Sequence, residues 1–367
     1  MVALITLAFL VAFVTGGLLV RWTGSHATRY GPDVPQRFHA GHVSRLGGVA
    51  LTGGVAVAWL AAALLDARVI SFNVRLPGAQ ALLWLMVFLP AVASGIGEDL
   101  THRLSVRYRL ILTATTAGLA CLLLGLQVPR VGLDGLDGLL LSAPWLGVAL
   151  ALLAVCGLPH AFNIIDGYNG LAGFVAVVAC LAIAHVALQL DDRQLAAMVL
   201  CLAAATAGFL LWNYPRGLLF AGDGGAYLWG VVIAVASVQL VQRHAEVSPW
   251  FPMLLLIYPV WETLFSIYRK LARGSSPGVA DALHFHQLIY RRIVRGVFHD
   301  DYARQMLMRN NRTSPYLWGF TLLTVVPAVL FWRNTHVLIL FCMLFVLSYV
   351  AAYLAIVRFR VPPWLRF

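Results

Sequence analysis

The segment Asn163-Ile-Ile-Asp166-Gly167-Tyr-Asn169-Gly170-Leu171 sets a carboxylate, two carboxamides and two glycines between long apolar runs. Polar groups at membrane depth are costly unless paired or facing water, so this stretch reads as a functional site. Asn163 and Asn169 offer donors and acceptors suited to a nucleobase edge or a sugar, or they cap a broken helix. The adjacent carboxylates of Glu98 and Asp99 repel each other. Such a pair favours a cation, a shared proton or a general base, unless it is a loop pair balanced by Arg103. Asp223 lies among glycines in Phe220-Ala-Gly222-Asp223-Gly-Gly, at the start of another apolar run. There it could cap a helix or hold a magnesium ion that bridges phosphates. Phe220 is placed to stack on a base or to sit in an interfacial aromatic belt, and Asn213 lies seven residues before it.

Cationic and imidazole groups complete the set. Arg45-Leu-Gly47-Gly48, preceded by His39 and His42, offers a bidentate phosphate donor beside a glycine pair, or a basic flank with helix-packing glycines. Arg107 and Arg109 follow the acidic pair. In the later loop, His284 and His286 stand two residues apart, spaced to bind metal, to donate to phosphate oxygens or simply to sit in solvent.

The elements that must position these groups are apolar helices. Of 367 residues, 61% are hydrophobic and 11% charged, and the mean hydropathy is +0.83. That composition excludes a soluble globular domain and predicts an all-α polytopic membrane protein. Runs long enough to cross a bilayer cover about 2–20, 46–65, 81–97, 108–126, 144–162, 169–189, 194–212, 224–242, 249–270, 315–332 and 335–357. The first lacks a basic leader and a small-residue cleavage site, so it counts as a span and not a signal peptide. Eleven crossings put the termini on opposite sides. With the N-terminus outside and the C-terminus cytoplasmic, 20 of the 26 Lys and Arg residues fall on the cytoplasmic face. The net charge of +11 is then mostly a cytoplasmic surface facing anionic headgroups and phosphorylated ligands. Because the charge is spread over loop ends, it does not suggest nucleic acid. All five cysteines lie in apolar runs without ligand spacing, which implies neither disulfides nor a cysteine metal site. The chain reads as a single domain, 1–367, with a cytoplasmic loop at 271–314 that carries the histidines and some amphipathic helix.

In order, Arg45-Leu-Gly-Gly48, Glu98-Asp99, Asn163-Ile-Ile-Asp166-Gly167, Phe220-Ala-Gly-Asp223-Gly and His284-Phe-His286 resemble the motifs of the polyprenyl-phosphate N-acetylhexosamine-1-phosphate transferases. The resemblance runs from about Pro32 to about Arg292. It implies transfer of a sugar 1-phosphate from a UDP-sugar to undecaprenyl phosphate, with release of UMP, on the cytoplasmic face of a bacterial inner membrane. It also implies Mg²⁺, with Mn²⁺ able to substitute, and a homodimer through lipid-facing helices. Carried over by position, Asp223 is the metal ligand, and Asp99 with Glu98 deprotonates the lipid phosphate or touches the metal. Asn163, Asp166, Gly167 and Asn169 line the uridine and diphosphate region, while His284 and His286 bind phosphate or sugar at the mouth. Arg45, Arg107, Arg109, Asn213 and Phe220 complete the substrate set. The chain departs from the family in Glu98 where Asp is usual, in Asn169 for a frequent Asp, and in Gln287 for a third histidine. Without the long histidine run of the peptidoglycan-precursor branch, it stands nearer the branch acting on simple UDP-N-acetylhexosamines. A carrier-lipid flippase would hold similar charges, but its polar groups should appear as paired midplane sites in inverted repeats.

Overall fold

A computed structural model describes residues 1–23, 43–64, 78–274 and 283–359. His39, His42 and the middle of the histidine loop, including Asp281, lie outside the described residues. Fourteen α-helices are described: α1 (Val2–Trp22), α2 (Gly47–Leu64), α3 (Gly78–Thr101), α4 (Val106–Leu124), α5 (Asp134–Ser142), α6 (Pro144–Ile165) and α7 (Leu171–Gln189), then α8 (Arg193–Asn213), α9 (Gly222–Arg243), α10 (Trp250–Leu255), α11 (Ile257–Ala272), α12 (Phe285–Arg292), α13 (Tyr302–Leu330) and α14 (Thr335–Val357). Among the described residues no β-strand forms; a single parallel bridge joins Ser44 to Leu219.

Ten of these helices are long and apolar enough to span a bilayer. The eleventh expected crossing, 249–270, is not one helix. It breaks at Leu256 into α10 and α11. Pro259 explains the break, since it has no N–H to offer the carbonyl four residues back and its ring crowds that carbonyl. A second correction concerns 271–314. Its last part is not loop: the Asp301 carboxylate accepts the Ala303 N–H at 2.8 Å, and from this cap α13 runs unbroken into the membrane span.

The bundle is built around α9, in which every residue from Gly224 to Val241 is buried. A helix apolar all round and enclosed by neighbours is what a lipid-soluble bundle centre requires. Packing against it are α2, α3, α6, α7 and α8. Small residues set how close they come. A methyl added at Gly48 would collide with the Gly225 amide nitrogen, and one at Gly95 would lie 2.5 Å from the Gly224 nitrogen. These contacts seat the first turn of α9 directly on α2 and α3. Gly95→Val is therefore expected to cost about 1–3 kcal/mol through overpacking and to lower the thermal midpoint of the purified protein. An unchanged midpoint would mean that α3 and α9 have room to part.

The C-terminal ends of α3, α6 and α8 and the N-terminal ends of α2, α4, α7 and α9 meet at one end of the bundle. Gly47 and Gly48 donate their N–H groups to the carbonyls of Phe220 and Ala221 at 2.9 and 2.8 Å, and Phe220 N–H donates to Ser44 O at 2.9 Å. The start of α2 is thus stitched to the loop that leads into α9.

Candidate active site

That end of the bundle holds a cavity of about 260 Å³. Its lining includes Arg45, Asn163, Asp166, Gly167, Asn169, Asn213, Phe220, Asp223, His284 and His286, ten of the residues singled out in the sequence. They come from five separate stretches, which only the packing of the helices brings together.

Asp223 occupies the first turn of α9, where the helix dipole favours a negative charge. Its Oδ1 accepts a hydrogen bond from Asn163 Nδ2 at 2.7 Å, and its Oδ2 pairs with the Arg109 guanidinium. Arg109 is therefore the partner of Asp223 without lining the cavity. The turn before it depends on Gly222, whose φ of +68° favours glycine. A side chain there would also strike the Arg45 carbonyl and the Asp99 carboxylate.

Asp99, expected as a metal contact or base, lies outside the cavity lining. Its side chain is buried, and its two oxygens accept the N–H groups of Asp223 and Gly224 at 3.0 and 2.9 Å. A helix N-terminus leaves its first N–H groups without partners, and this carboxylate from α3 satisfies two of them. Glu98 is likewise occupied: it accepts the Leu104 N–H at 2.8 Å and closes the turn between α3 and α4. Arg107 is exposed at the start of α4, outside the cavity lining.

Asp166 follows the last turn of α6 and faces the same cavity. Burial and then the charge of Asp223 push its pKa up to about 7, against the opposing pull of Arg45. Two carboxylates sharing one cavity in this way are a donor set short of positive charge. Among the described residues no three His, Cys, Asp or Glu side chains cluster to chelate an ion by themselves. Magnesium does not require that, because it keeps several waters and takes one or two carboxylates together with substrate phosphates. The oxygens of Asp223 and Asp166 fit such an ion.

Two carboxamides expected to contact ligand are partly committed to the scaffold. Asn213 Oδ1 accepts the Gly170 N–H at 2.6 Å and its Nδ2 donates to Leu219 O at 2.9 Å. Asn169 is held from α13: its N–H donates to Asn310 Oδ1 at 2.8 Å, its Nδ2 to Asn311 Oδ1 at 3.0 Å, and its carbonyl accepts from Ser314 at 2.6 Å. Its own Oδ1 is buried without a hydrogen-bond partner, one acceptor left in the wall.

His284 and His286 do not sit at an open mouth. Both are buried, with parallel rings 5.3 Å apart. Burial and the neighbouring His284 push the His286 pKa down to about 3, so that ring is neutral at physiological pH. Its Nδ1 has no hydrogen-bond partner. Gly167 packs against His286; a methyl there would lie 3.2 Å from its Nε2.

Sequence reasoning missed three contributors. Asn310 lines the cavity from α13, in a stretch read as loop. Gln287 also lines it, and its Oε1 accepts the His284 N–H at 3.3 Å. Glu262, fully buried on α11, accepts a hydrogen bond from His284 Nδ1 at 3.0 Å. Its signal was present, since it is the one carboxylate in an apolar run otherwise fit to span.

Residues 81–241, a little under half of the chain, match the family described as glycosyl transferase family 4. A probable undecaprenyl-phosphate N-acetylglucosaminyl 1-phosphate transferase of Bacillus subtilis is 26% identical over 61% of this chain and 60% of its own length. The chain thus spans less than two thirds of that relative's length. A decaprenyl-phosphate N-acetylglucosaminephosphotransferase of Mycolicibacterium smegmatis is 27% identical over 77% of this chain and 73% of its own length. An undecaprenyl-phosphate alpha-N-acetylglucosaminyl 1-phosphate transferase of Yersinia pestis is 27% identical over 69% and 67%.

Proposed function

We propose that the chain, whose residues 81–241 match glycosyl transferase family 4, transfers a sugar 1-phosphate, from a UDP-N-acetylhexosamine, to a polyprenyl phosphate such as undecaprenyl phosphate. The products are a polyprenyl-diphosphate sugar and UMP. This would be the first membrane step of a cell-surface glycan, carried out on the cytoplasmic face of a bacterial inner membrane. The observation that carries the reading is the convergence of Asp166, Asp223, Asn163, Arg45 and the histidine pair on one cavity at a single end of the bundle. That is where a lipid phosphate held at the bilayer surface and a water-soluble nucleotide can meet. The excess of basic residues expected on that side supports the cytoplasmic orientation.

In this scheme an oxygen of the lipid phosphate attacks the sugar-bearing phosphorus of the nucleotide. The new P–O bond forms as the bond to the uridine-side phosphate breaks, and UMP leaves. Two anions must approach each other, so the chain has to supply positive charge and orientation. Arg45 at the cavity rim holds a phosphate, and Phe220 offers a face to the base. Asp223 and Asp166 would hold Mg²⁺, which when bound neutralises charge on both phosphates. Arg109 and Asn163 fix the rotamer of Asp223. Direct attack is favoured over an aspartyl intermediate, because Asp99 is buried and does not line the cavity.

The test is release of UMP from a panel of UDP-sugars by purified protein, with polyprenyl phosphate and Mg²⁺ each supplied or withheld. Release without the lipid phosphate, or from none of the sugars, would sink the reading. A pH dependence follows from Asp166. Below pH 7 it is mostly protonated, and a cation binds only its ionised form. The Mg²⁺ concentration for half-maximal release is therefore expected to rise by up to about tenfold per pH unit below neutrality and to level off above it. A flat Mg²⁺ requirement across that range would remove Asp166 from the donor set.

A further inference from the structure

Glu262 is buried on the second half of the broken span, with three donors from two elements around it. Its Oε1 accepts from His284 Nδ1 at 3.0 Å and from the Phe285 N–H at 3.2 Å, and its Oε2 accepts from the Tyr349 hydroxyl of α14 at 2.7 Å. A carboxylate at this depth is expensive and is kept only where such partners satisfy it. Packing alone would be served better by an apolar residue of similar volume. What this carboxylate does locally is orient one ring. With Nδ1 of His284 turned to Glu262, Nε2 is the ring nitrogen left for the cavity that His284 lines. The parallel ring of His286 packs on it, and the Tyr349 ring also packs against Phe285, tilted by 40° with 4.8 Å between centroids.

We infer that Glu262, braced by Tyr349, is a positioning residue of the transfer reaction: it fixes the tautomer and direction of His284 so that Nε2 addresses the phosphate oxygens of the sugar nucleotide. The inference rests on the transferase reading above. A carboxylate behind an imidazole sets which nitrogen carries the proton and which way the ring points, as in carboxylate–histidine pairs that support metals or nucleophiles. Neither Glu262 nor Tyr349 lines the cavity. Their effect must pass through His284, and that makes it separable from a packing role.

The test uses the full-length protein in detergent or nanodiscs, with UDP-sugar, polyprenyl phosphate and Mg²⁺. Glu262→Gln, which keeps size and hydrogen bonding but removes the charge, is expected to lower kcat by roughly 10- to 100-fold with a small change in KM for the sugar nucleotide. In the His284→Ala background the same substitution should cause no further loss, and Glu262→Asp should recover part of the rate. If Glu262→Gln yields too little folded protein, Tyr349→Phe replaces it, with a several-fold loss of kcat in the wild-type background and none in His284→Ala. Wild-type kcat in Glu262→Gln, or losses that multiply in the double variant, would overturn the inference while leaving the transferase reading intact. Absence of UMP release by the unsubstituted protein would instead defeat that reading, and this inference with it.

Discussion

Asp223→Asn is expected to lower UMP release by about a thousandfold or more while the protein stays folded. Asparagine matches the shape of aspartate, and its carbonyl oxygen can still accept from one of the two neighbours, Asn163 or Arg109. In the proposed reaction the lost charge is the one that would hold Mg²⁺ against two phosphates. It also leaves Arg109 partly buried without the counter-ion it now has. Removing one electrostatic partner of a phosphoryl transition state costs on the order of 10²–10³ in rate, and on the proposed reading the metal would go with it. The measurement is kcat for UMP release with a thermal midpoint beside it. Near-normal turnover with an unchanged midpoint would move the metal away from Asp223.

The second large effect falls on Asp99, and it separates two uses of one carboxylate. Asp99→Ala leaves the N–H groups of Asp223 and Gly224 without their acceptors in a buried setting. Unsatisfied buried donors cost about 1–3 kcal/mol each, so a loss of roughly 2–4 kcal/mol is expected. Activity should fall at least about a hundredfold, because Asp223 rides on the turn those bonds hold and a misplacement near 1 Å is enough for that. Asp99→Asn keeps one acceptor oxygen but sets an amide against an N–H. It should fall between alanine and wild type in both midpoint and rate. Were Asp99 a general base instead, asparagine and alanine would be equally inactive with little change in stability. Rates and midpoints for the two variants side by side decide between these roles.

Much of this was legible in the residues. The spans at 2–20, 46–65 and 335–357 match α1, α2 and α14 closely, because hydropathy is a local property and lipid enforces it along each segment. The polar set was legible for the same reason: a carboxylate or carboxamide among twenty apolar neighbours stands out. The break at Leu256 and the long reach of α13 were not read, although Pro259 and the cap at Asp301 were there to suggest them. In both places the hydropathy pattern varies smoothly while backbone geometry does not. Glu262 was passed over because its run was counted as an ordinary span.

The sequence by itself determined that this is a bundle of apolar helices with a constellation of carboxylates, carboxamides, arginines and histidines suited to phosphate chemistry. It could not say which of them would meet ligand and which would hold the scaffold. That depended on helix rotation and on approach distances, set by contacts such as Gly48 against Gly225 and Gly95 against Gly224. These turned Asp99 into a brace for α9, tied Asn169 and Asn213 into loops, left Asp166 and Asp223 facing one cavity and put Glu262 behind His284. Hydropathy acts one segment at a time, whereas a hydrogen-bond partner sits 60 residues away from Asn163, 124 from Asp99 and 141 from Asn169. Only the packed chain can choose it.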